Sequence, residues 1–292
     1  MGMNNTFLYV ITVLIWGSTW LAIEYQLGVV EPEVSIVYRY ALASMVLFIW
    51  CKIKGLPLSF KVKDHAWFVL LGLFLFCLNY ILAYRAQVYI TSALAAISFS
   101  MMLWINIIMS RFFFGTRAGG RVLLGALLGI LGILTLFAPQ IESVSLGDGV
   151  LFGSLLAVLG AVMASGGNMV SQASQGRNLP VVQGNAWGMF YGAVLTAIVA
   201  MASGHEFNFD ATFTYIVSLV YLAIFGSVVA FGAYLTLLGR IGAHKAGYAT
   251  VMFPVVALAL SMAFEGLQLS LAIVTGTSLV LLGNMLVLKK GP

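Results

Sequence analysis

Long uncharged apolar stretches constrain this chain more than any other feature of its sequence. Four of them are residues 7–23, 91–110, 149–170 and 215–238. A helix that crosses the hydrocarbon core of a bilayer needs about 20 apolar residues, which is close to the length of each stretch. Lipid offers no partner to free backbone N–H and C=O groups, so we expect these stretches to be helical.

The composition excludes an ordinary soluble domain. Only 8% of the residues are charged and 62% are hydrophobic, whereas a soluble domain carries roughly 25% charged residues. The net charge of +5 does not indicate nucleic-acid binding, because the basic residues are scattered in short loops. Cys51 and Cys77 lie in or next to apolar stretches, so we interpret both as buried thiols.

The apolar pattern predicts an all-α polytopic membrane protein of ten transmembrane helices. Their predicted bounds are 6–25, 34–52, 66–86, 91–111, 120–138, 149–171, 183–203, 213–238, 244–264 and 270–288. With ten crossings, all 14 Lys and Arg residues except Arg39 and Arg85 lie at the ends on one side, and all acids except Asp64 lie toward the other. Because basic loops stay in the cytoplasm, both termini are predicted to be cytoplasmic.

The two halves of the chain resemble each other at a constant offset of 151 residues. The matching residues are Ala95, Met101, Ser110, Phe113, Gly115, Gly125 and Gly132, which correspond to Ala246, Met252, Ser261, Phe264, Gly266, Gly276 and Gly283. The sequence thus predicts two five-helix repeats, residues 1–138 and 149–288. Because five is odd, the second repeat enters the membrane inverted, an arrangement common among secondary transporters.

Several motifs carry a resemblance to a known family. They are the segment 14–20 (LIWGSTW), Pro32 and Arg39 in the first half, and 242–247 (GAHKAG), Pro254, Glu265, Gly266, Gly276 and Gly283 in the second. The chain resembles the EamA-type members of the drug/metabolite transporter superfamily, and most of all the bacterial aromatic amino-acid exporters. The resemblance implies a central cavity lined mainly by helices 1, 3, 4, 6, 8 and 9, with helices 5 and 10 peripheral. Leu103 and Phe114 depart from Pro254 and Glu265 of the second half, which argues against a strictly two-fold site.

Polar and aromatic residues within the apolar helices are the candidate substrate ligands. They are Trp16, Ser18, Asn79, Tyr80, Tyr84, Ser98, Ser165, Asn168, Tyr234 and Tyr248. An amide facing lipid is costly, so Asn168 must face protein or water. Tyr80 and Tyr84 are spaced i, i+4 and share one helix face; that face either lines a cavity or packs against another helix. Trp16 either lines the cavity, packs in the protein or anchors the interface.

Three further features leave alternatives open. Arg39 either attracts a substrate carboxylate or extends to the outer interface and pairs with an acid there, and we favour the interface. Gly125-x-x-x-Gly129 permits close helix approach, either within one chain, which we favour, or in a dimer. Pro254 bends its helix and is a candidate hinge, or else produces a static kink.

These features together predict a carrier of small neutral or zwitterionic solutes in the inner membrane. We expect amino-acid export by alternating access, with other metabolites or drugs as an alternative cargo and an integral membrane enzyme as a weaker one. The sequence has no phosphate-binding loop and its three histidines are scattered, so we expect neither an enzyme nor a cofactor or metal. The expected partners are the small-molecule substrate and the lipid bilayer, without nucleic acid, and the protein is expected to be a monomer or a homodimer.

Overall fold

The computed structural model describes residues 4–136, 138, 148–264 and 270–288, and all regular structure among them is helical. The helices are α1 (Asn5–Glu24), α2 (Pro32–Ile53), α3 (Val62–Tyr89), α4 (Ser92–Phe99), α5 (Met102–Phe114), α6 (Gly120–Leu136), α7 (Asp148–Gln175), α8 (Val181–Ala202), α9 (Phe213–Ile241), α10 (Ala243–Ala246), α11 (Ala249–Phe264) and α12 (Leu271–Leu288). The predicted all-α class is confirmed.

Seven helical stretches of the described residues are long and apolar enough to cross a membrane. Two shorter apolar helices, Gly120–Thr135 and Leu271–Val287, lie at corresponding places in the two halves. The helix predicted over residues 91–111 is broken, because α4 ends at Phe99 and α5 begins at Met102. A similar break separates α10 from α11 in the second half, about one helical turn earlier in the repeat. The count of ten crossings remains a prediction.

Short polar residues and proline set where several helices begin. The Asn4 side chain accepts a hydrogen bond from the Phe7 backbone N–H at 2.7 Å and caps α1. Thr91 caps α4 and Thr212 caps α9 in the same way. Pro32 occupies the first turn of α2, where its missing N–H costs no hydrogen bond. These residues therefore set where α1, α2, α4 and α9 begin.

Two helices widen into π-helical turns at related positions. The segment Gly72–Leu78 of α3 and the segment Leu222–Val229 of α9 are both π-helical. Such turns are rare and frequently occur at functional sites, because they release a backbone carbonyl from the regular ladder. The apolar pattern of the sequence gave no sign of either segment.

The helix ends gather at two opposite ends of the bundle. At one end, the Arg177 guanidinium lies 4.9 Å from the Trp67 ring at the start of α3. At the other end, Arg85 near the end of α3 bonds Glu33 at 2.7 Å, and the Asn208 side chain donates to the Val29 carbonyl. Arg177 and Glu33 therefore lie at opposite ends of the bundle, as the charge sorting predicts for these two residues. Four residues of that sorting, Glu142, Glu265, Lys289 and Lys290, lie outside the described residues.

Corresponding helix pairs of the two halves pack in corresponding ways. α3 and α7 are antiparallel, since Gly153 lies beside Tyr89 and Gly167 beside Leu75. α9 and α1 are antiparallel too: Ser18 bonds Tyr221 and Arg240 bonds Asn5. The α1–α9 pair thus repeats the α7–α3 pair with the halves exchanged, which is the relation an inverted repeat requires.

The glycines of α6 pack against α12 within the chain. A Cβ atom built on Gly125 would lie 2.6 Å from the Gly283 carbonyl oxygen, and one on Gly132 would lie 2.7 Å from the Gly276 carbonyl oxygen. Such contacts are possible only without side chains at these positions. The interpretation of the glycine motif as packing within one chain is confirmed.

Candidate functional site

A cavity of about 50 Å³ lies in the middle of the bundle. α1 contributes Trp16, Thr19, Trp20 and Ile23, and α3 contributes Leu75, Asn79, Tyr80 and Ala83. The rest of the lining is Phe99, Met102, Ala164, Asn168, Phe231, Tyr234 and Phe253. Both halves of the chain therefore build the wall.

Aromatic rings form one side of the cavity around Trp16. Its ring centroid lies 4.7 Å from that of Phe231, 4.9 Å from that of Tyr234 and 5.7 Å from that of Phe253. The indole N–H donates to the Gly226 carbonyl at 2.9 Å, and Gly226 belongs to the π-helical segment of α9. Of the three roles considered for Trp16, the structure places it in the cavity wall rather than at the membrane interface.

Two buried asparagines bring amide groups to the cavity. Asn168 donates to the Tyr234 hydroxyl at 3.0 Å and to the Asn106 side chain at 3.3 Å. Asn79 donates to the Leu75 carbonyl at 3.2 Å. The amide oxygens of Asn79 and Asn168 are buried and have no hydrogen-bond partner in the described part of the chain. Because an unpaired buried acceptor costs about 1–3 kcal/mol, these oxygens favour a ligand that donates a hydrogen bond.

Arg39 lies directly behind the cavity wall and not at the interface. It is fully buried, and its guanidinium lies 4.6 Å from the ring centroid of Tyr80, a wall residue. Its Nε donates to the Ser227 hydroxyl at 2.9 Å. The favoured prediction, that Arg39 pairs with an acid at the outer interface, is wrong, because Arg85 binds the carboxylates of Glu31 and Glu33 instead.

Arg85 forms an ion-pair network with Glu31 and Glu33 at the acidic end of the bundle. His205 lies 3.7 Å from the Glu33 carboxylate and 3.2 Å from the Arg85 guanidinium. The ligand atoms of Glu31, Glu33 and His205 fall within 4.8 Å of one another, a grouping that could also hold a metal ion. Since Arg85 neutralises both carboxylates, we interpret the grouping as an ion-paired network. It joins residues separated by more than 100 positions, so sequence spacing could not predict it.

Half of the predicted substrate ligands line the cavity. They are Trp16, Asn79, Tyr80, Asn168 and Tyr234. Tyr84 is buried next to the cavity, where it donates to the Gln26 side chain at 2.9 Å and accepts from Arg39 at 3.3 Å.

The remaining predicted ligands lie outside the wall. The Tyr248 hydroxyl donates to the Val280 carbonyl at 3.0 Å and fits between α6 and α12. The Ser18 hydroxyl lies 2.6 Å from that of Tyr221. Ser165 is buried but its neighbour Ala164 faces the cavity, and Ser98 likewise precedes the wall residue Phe99. Pro254 lies within α11 next to the wall residue Phe253, and its role as a hinge remains a prediction.

The pattern of residue types did not single out Trp20, Phe231, Phe253 or the aliphatic residues of the wall. A signal for some of them was present, since Trp16, Trp20 and Ile23 follow the i, i+4, i+7 spacing of one helix face. In a helix that is apolar all round, however, the same spacing fits a lipid-facing surface equally well. Their neighbours in the fold are what set them apart.

The fold and this site define a polytopic helical membrane protein with a central, ring-lined cavity between two related halves. The profile of the EamA-like transporter family matches residues 5–138 and again residues 151–289. The chain therefore belongs to the EamA-like transporter family, within the drug/metabolite transporter superfamily, and it is a multi-pass inner-membrane transporter.

Several known proteins are similar to this chain over most of its length. The uncharacterized transporter YoaV of Bacillus subtilis is 25% identical over 92% of this chain and 91% of its own. The uncharacterized inner membrane transporter YedA of Escherichia coli is 25% identical over 88% and 81%, and the protein PagO of Salmonella typhimurium is 22% identical over 90% and 86%. A protein of known crystal structure matches with a TM-score of 0.80 over 97% of this chain and 96% of its own, at 18% identity. That likeness shows a shared fold.

Proposed function

We propose that this transporter exports small neutral or zwitterionic amphipathic molecules, foremost aromatic and apolar amino acids, by alternating access. The observation that carries the proposal is the wall of the cavity. It combines the rings of Trp16, Trp20 and Phe231 with the unpaired amide oxygens of Asn79 and Asn168. The rings suit an apolar side chain, and the amide oxygens suit an amino group.

The charges around the cavity support the same class of cargo. Among the residues that the structure describes, the wall contains no carboxylate and no basic side chain, so it offers no direct partner for a phosphorylated sugar or nucleotide. Such a cargo requires several Lys or Arg residues in the wall to neutralise its charge. In the proposed motion the two repeats rock against each other, and α11 bends at Pro254.

Transport by purified protein in proteoliposomes tests this proposal. We expect phenylalanine and tryptophan to move across the membrane, and glutamine and a sugar to move at least about tenfold more slowly, because a side chain that hydrogen-bonds to water loses those bonds between the rings. The assay measures flux of labelled solute with and without a proton gradient. If only the sugar or a drug-like cation moves, the cargo is of another class and the amino-acid proposal is wrong.

We further propose ten crossings with both termini in the cytoplasm and a five-helix repeat in each half of the chain, residues 1–138 and 149–288. The support is the separation of charge between the two ends of the bundle. The basic end includes Arg177 and Trp67, and the acidic end includes Arg85, Glu33 and Asn208. The cytoplasmic side of a membrane protein retains the basic end.

Single-cysteine labelling in intact cells tests this orientation. In a background where Cys51 and Cys77 are replaced by serine, Asn208→Cys is expected to react with a membrane-impermeant maleimide added outside. Lys54→Cys and Arg177→Cys, both at the basic end, are expected to react only after the cells are opened. Labelling of Lys54→Cys and Arg177→Cys from opposite sides would contradict the proposed number of crossings.

A further inference from the structure

Arg39 is a buried cation that pairs with no acid in the described part of the chain. Of the described charged residues only Arg39 and Glu33 are buried, and Glu33 forms its ion pair with Arg85. Arg39 forms no ion pair with any carboxylate among the residues that the structure describes. An arginine stays protonated in proteins, and an unpaired charge inside the membrane is costly and marks a functional site by default.

The positive charge of Arg39 reaches the cavity through Tyr80. The Arg39 Nη2 donates to the Tyr80 hydroxyl at 3.4 Å, and the guanidinium stacks against the Tyr80 ring. Tyr80 itself lines the cavity. A hydroxyl that accepts from a cation is polarised and becomes a better donor of its own proton. The wall is therefore positive and hydrogen-bond-donating at Tyr80, and hydrogen-bond-accepting at its sequence neighbour Asn79.

We propose that the carboxylate of the substrate binds at Tyr80, where Arg39 supplies the neutralising charge, and that its ammonium group donates to the Asn79 amide oxygen. The substrate class is then the α-amino acid with an aromatic side chain, which offers a carboxylate to Tyr80 and an ammonium group to Asn79, two residues of the same cavity wall. This inference rests on the proposed function in taking the same cavity as the substrate site. Arg39 acts through Tyr80 and is a positioning residue.

A second role of Arg39 has to be separated from this one. Its Nε bond to the Ser227 hydroxyl joins α2 to the π-helical segment of α9, and Ser227 in turn donates to the Leu222 carbonyl. A purely structural role in this connection predicts that loss of Arg39 weakens the binding of every ligand equally. Recognition of a carboxylate predicts a loss confined to ligands that have one.

Binding of three indole ligands to the purified full-length protein distinguishes the two roles. The probes are tryptophan, tryptamine, which lacks the carboxylate, and indole-3-propionate, which lacks the ammonium group. Tyr80→Phe removes only a hydroxyl. We expect this substitution to weaken the binding of tryptophan and indole-3-propionate about tenfold or more, as for a lost hydrogen bond to a charged group. The affinity for tryptamine is expected to change less than about twofold.

The matched control is Tyr40→Phe. Tyr40 also faces Arg39, with its ring centroid 5.4 Å from the guanidinium, but it does not line the cavity. We expect this variant to bind all three ligands as the wild type does. Arg39→Met is expected to show the same carboxylate-specific loss as Tyr80→Phe, and Arg39→Lys to restore part of it.

Equal losses for all three ligands in Tyr80→Phe and Arg39→Met would overturn the inference in favour of the structural role. Wild-type protein that binds tryptamine as tightly as tryptophan, or that binds none of the three probes, contradicts it as well. Because this experiment measures binding and not flux, failure of the carboxylate-site inference is distinguishable from failure of the proposed export. If the protein binds carboxylate ligands selectively but transports none of them, the carboxylate site is supported and the export proposal is wrong. If it transports tryptophan and tryptamine with equal affinity, export is supported and the carboxylate site is wrong.

Discussion

Replacing Asn168 with leucine is expected to lower transport by about 10- to 100-fold while the protein remains inserted in the membrane. The change removes the unpaired acceptor from the cavity and deprives the Tyr234 hydroxyl and the Asn106 side chain of a partner. Loss of a partner costs a buried polar group about 1–3 kcal/mol, and each 1.4 kcal/mol is a factor of about ten. Flux of labelled phenylalanine in proteoliposomes at matched protein density measures the effect.

The chain offers a close control in Asn185 of α8. Asn185 is buried and its amide oxygen is also without a partner, but it does not line the cavity. Asn185→Leu is expected to keep transport within about twofold of the wild type, because a buried group away from the cavity contributes to stability rather than to substrate binding. Equal losses of transport in the two variants would mean that Asn168→Leu acts by impairing folding. Asn168 would then no longer be a candidate substrate ligand.

Replacing Gly283 with alanine is expected to destabilise the protein strongly, although only one methyl group is added. A Cβ atom at Gly283 would lie 2.5 Å from the Gly125 carbonyl oxygen and would also meet the Tyr248 hydroxyl. The neighbour is backbone, so α6 and α12 must move apart, and overpacking of this kind costs about 1–3 kcal/mol. We expect a lower melting temperature and a lower yield of monodisperse protein in detergent.

Gly232→Ala provides a control, because it is expected to leave the melting temperature unchanged or raise it. Gly232 lies in α9 with nothing within 4 Å of a built Cβ atom, and alanine is favoured over glycine in a helix by about 1 kcal/mol. Its melting temperature is therefore expected to equal or exceed that of the wild type. If both variants melt at the same temperature, α6 and α12 approach each other less closely than the structure indicates.

Much of the fold was predictable because a bilayer restricts what an apolar chain can do. The predicted helix at residues 34–52 corresponds to Pro32–Ile53, and the one at 149–171 corresponds to Asp148–Gln175. The predictions failed where tertiary contacts compete with the regular hydrogen bonding of a helix. The break between α4 and α5 and the π-helical segments alter backbone hydrogen bonding inside apolar stretches, where the pattern of side-chain types does not change.

Arg39 shows why the candidate site was only half predictable. From the sequence, nearby acids such as Glu33 were its obvious partners. In the fold, Arg85 reaches Glu33 from the end of α3 and leaves Arg39 to the tyrosines and Ser227. Tyr248 shows the opposite error, since a tyrosine in a predicted wall helix instead packs between α6 and α12.

The sequence by itself determined that the chain is helical and membrane-spanning, that its basic and acidic ends are separated, and which glycines permit close packing. These properties depend on the length, polarity and spacing of residues along single helices, which lipid and water select directly. The tertiary structure alone decided which polar residues meet around the cavity, that Arg39 has no acidic partner among the described residues, and that Arg85 pairs with Glu33. Those outcomes depend on which of several partners comes within hydrogen-bond distance, and this is fixed only when helices distant in sequence pack together.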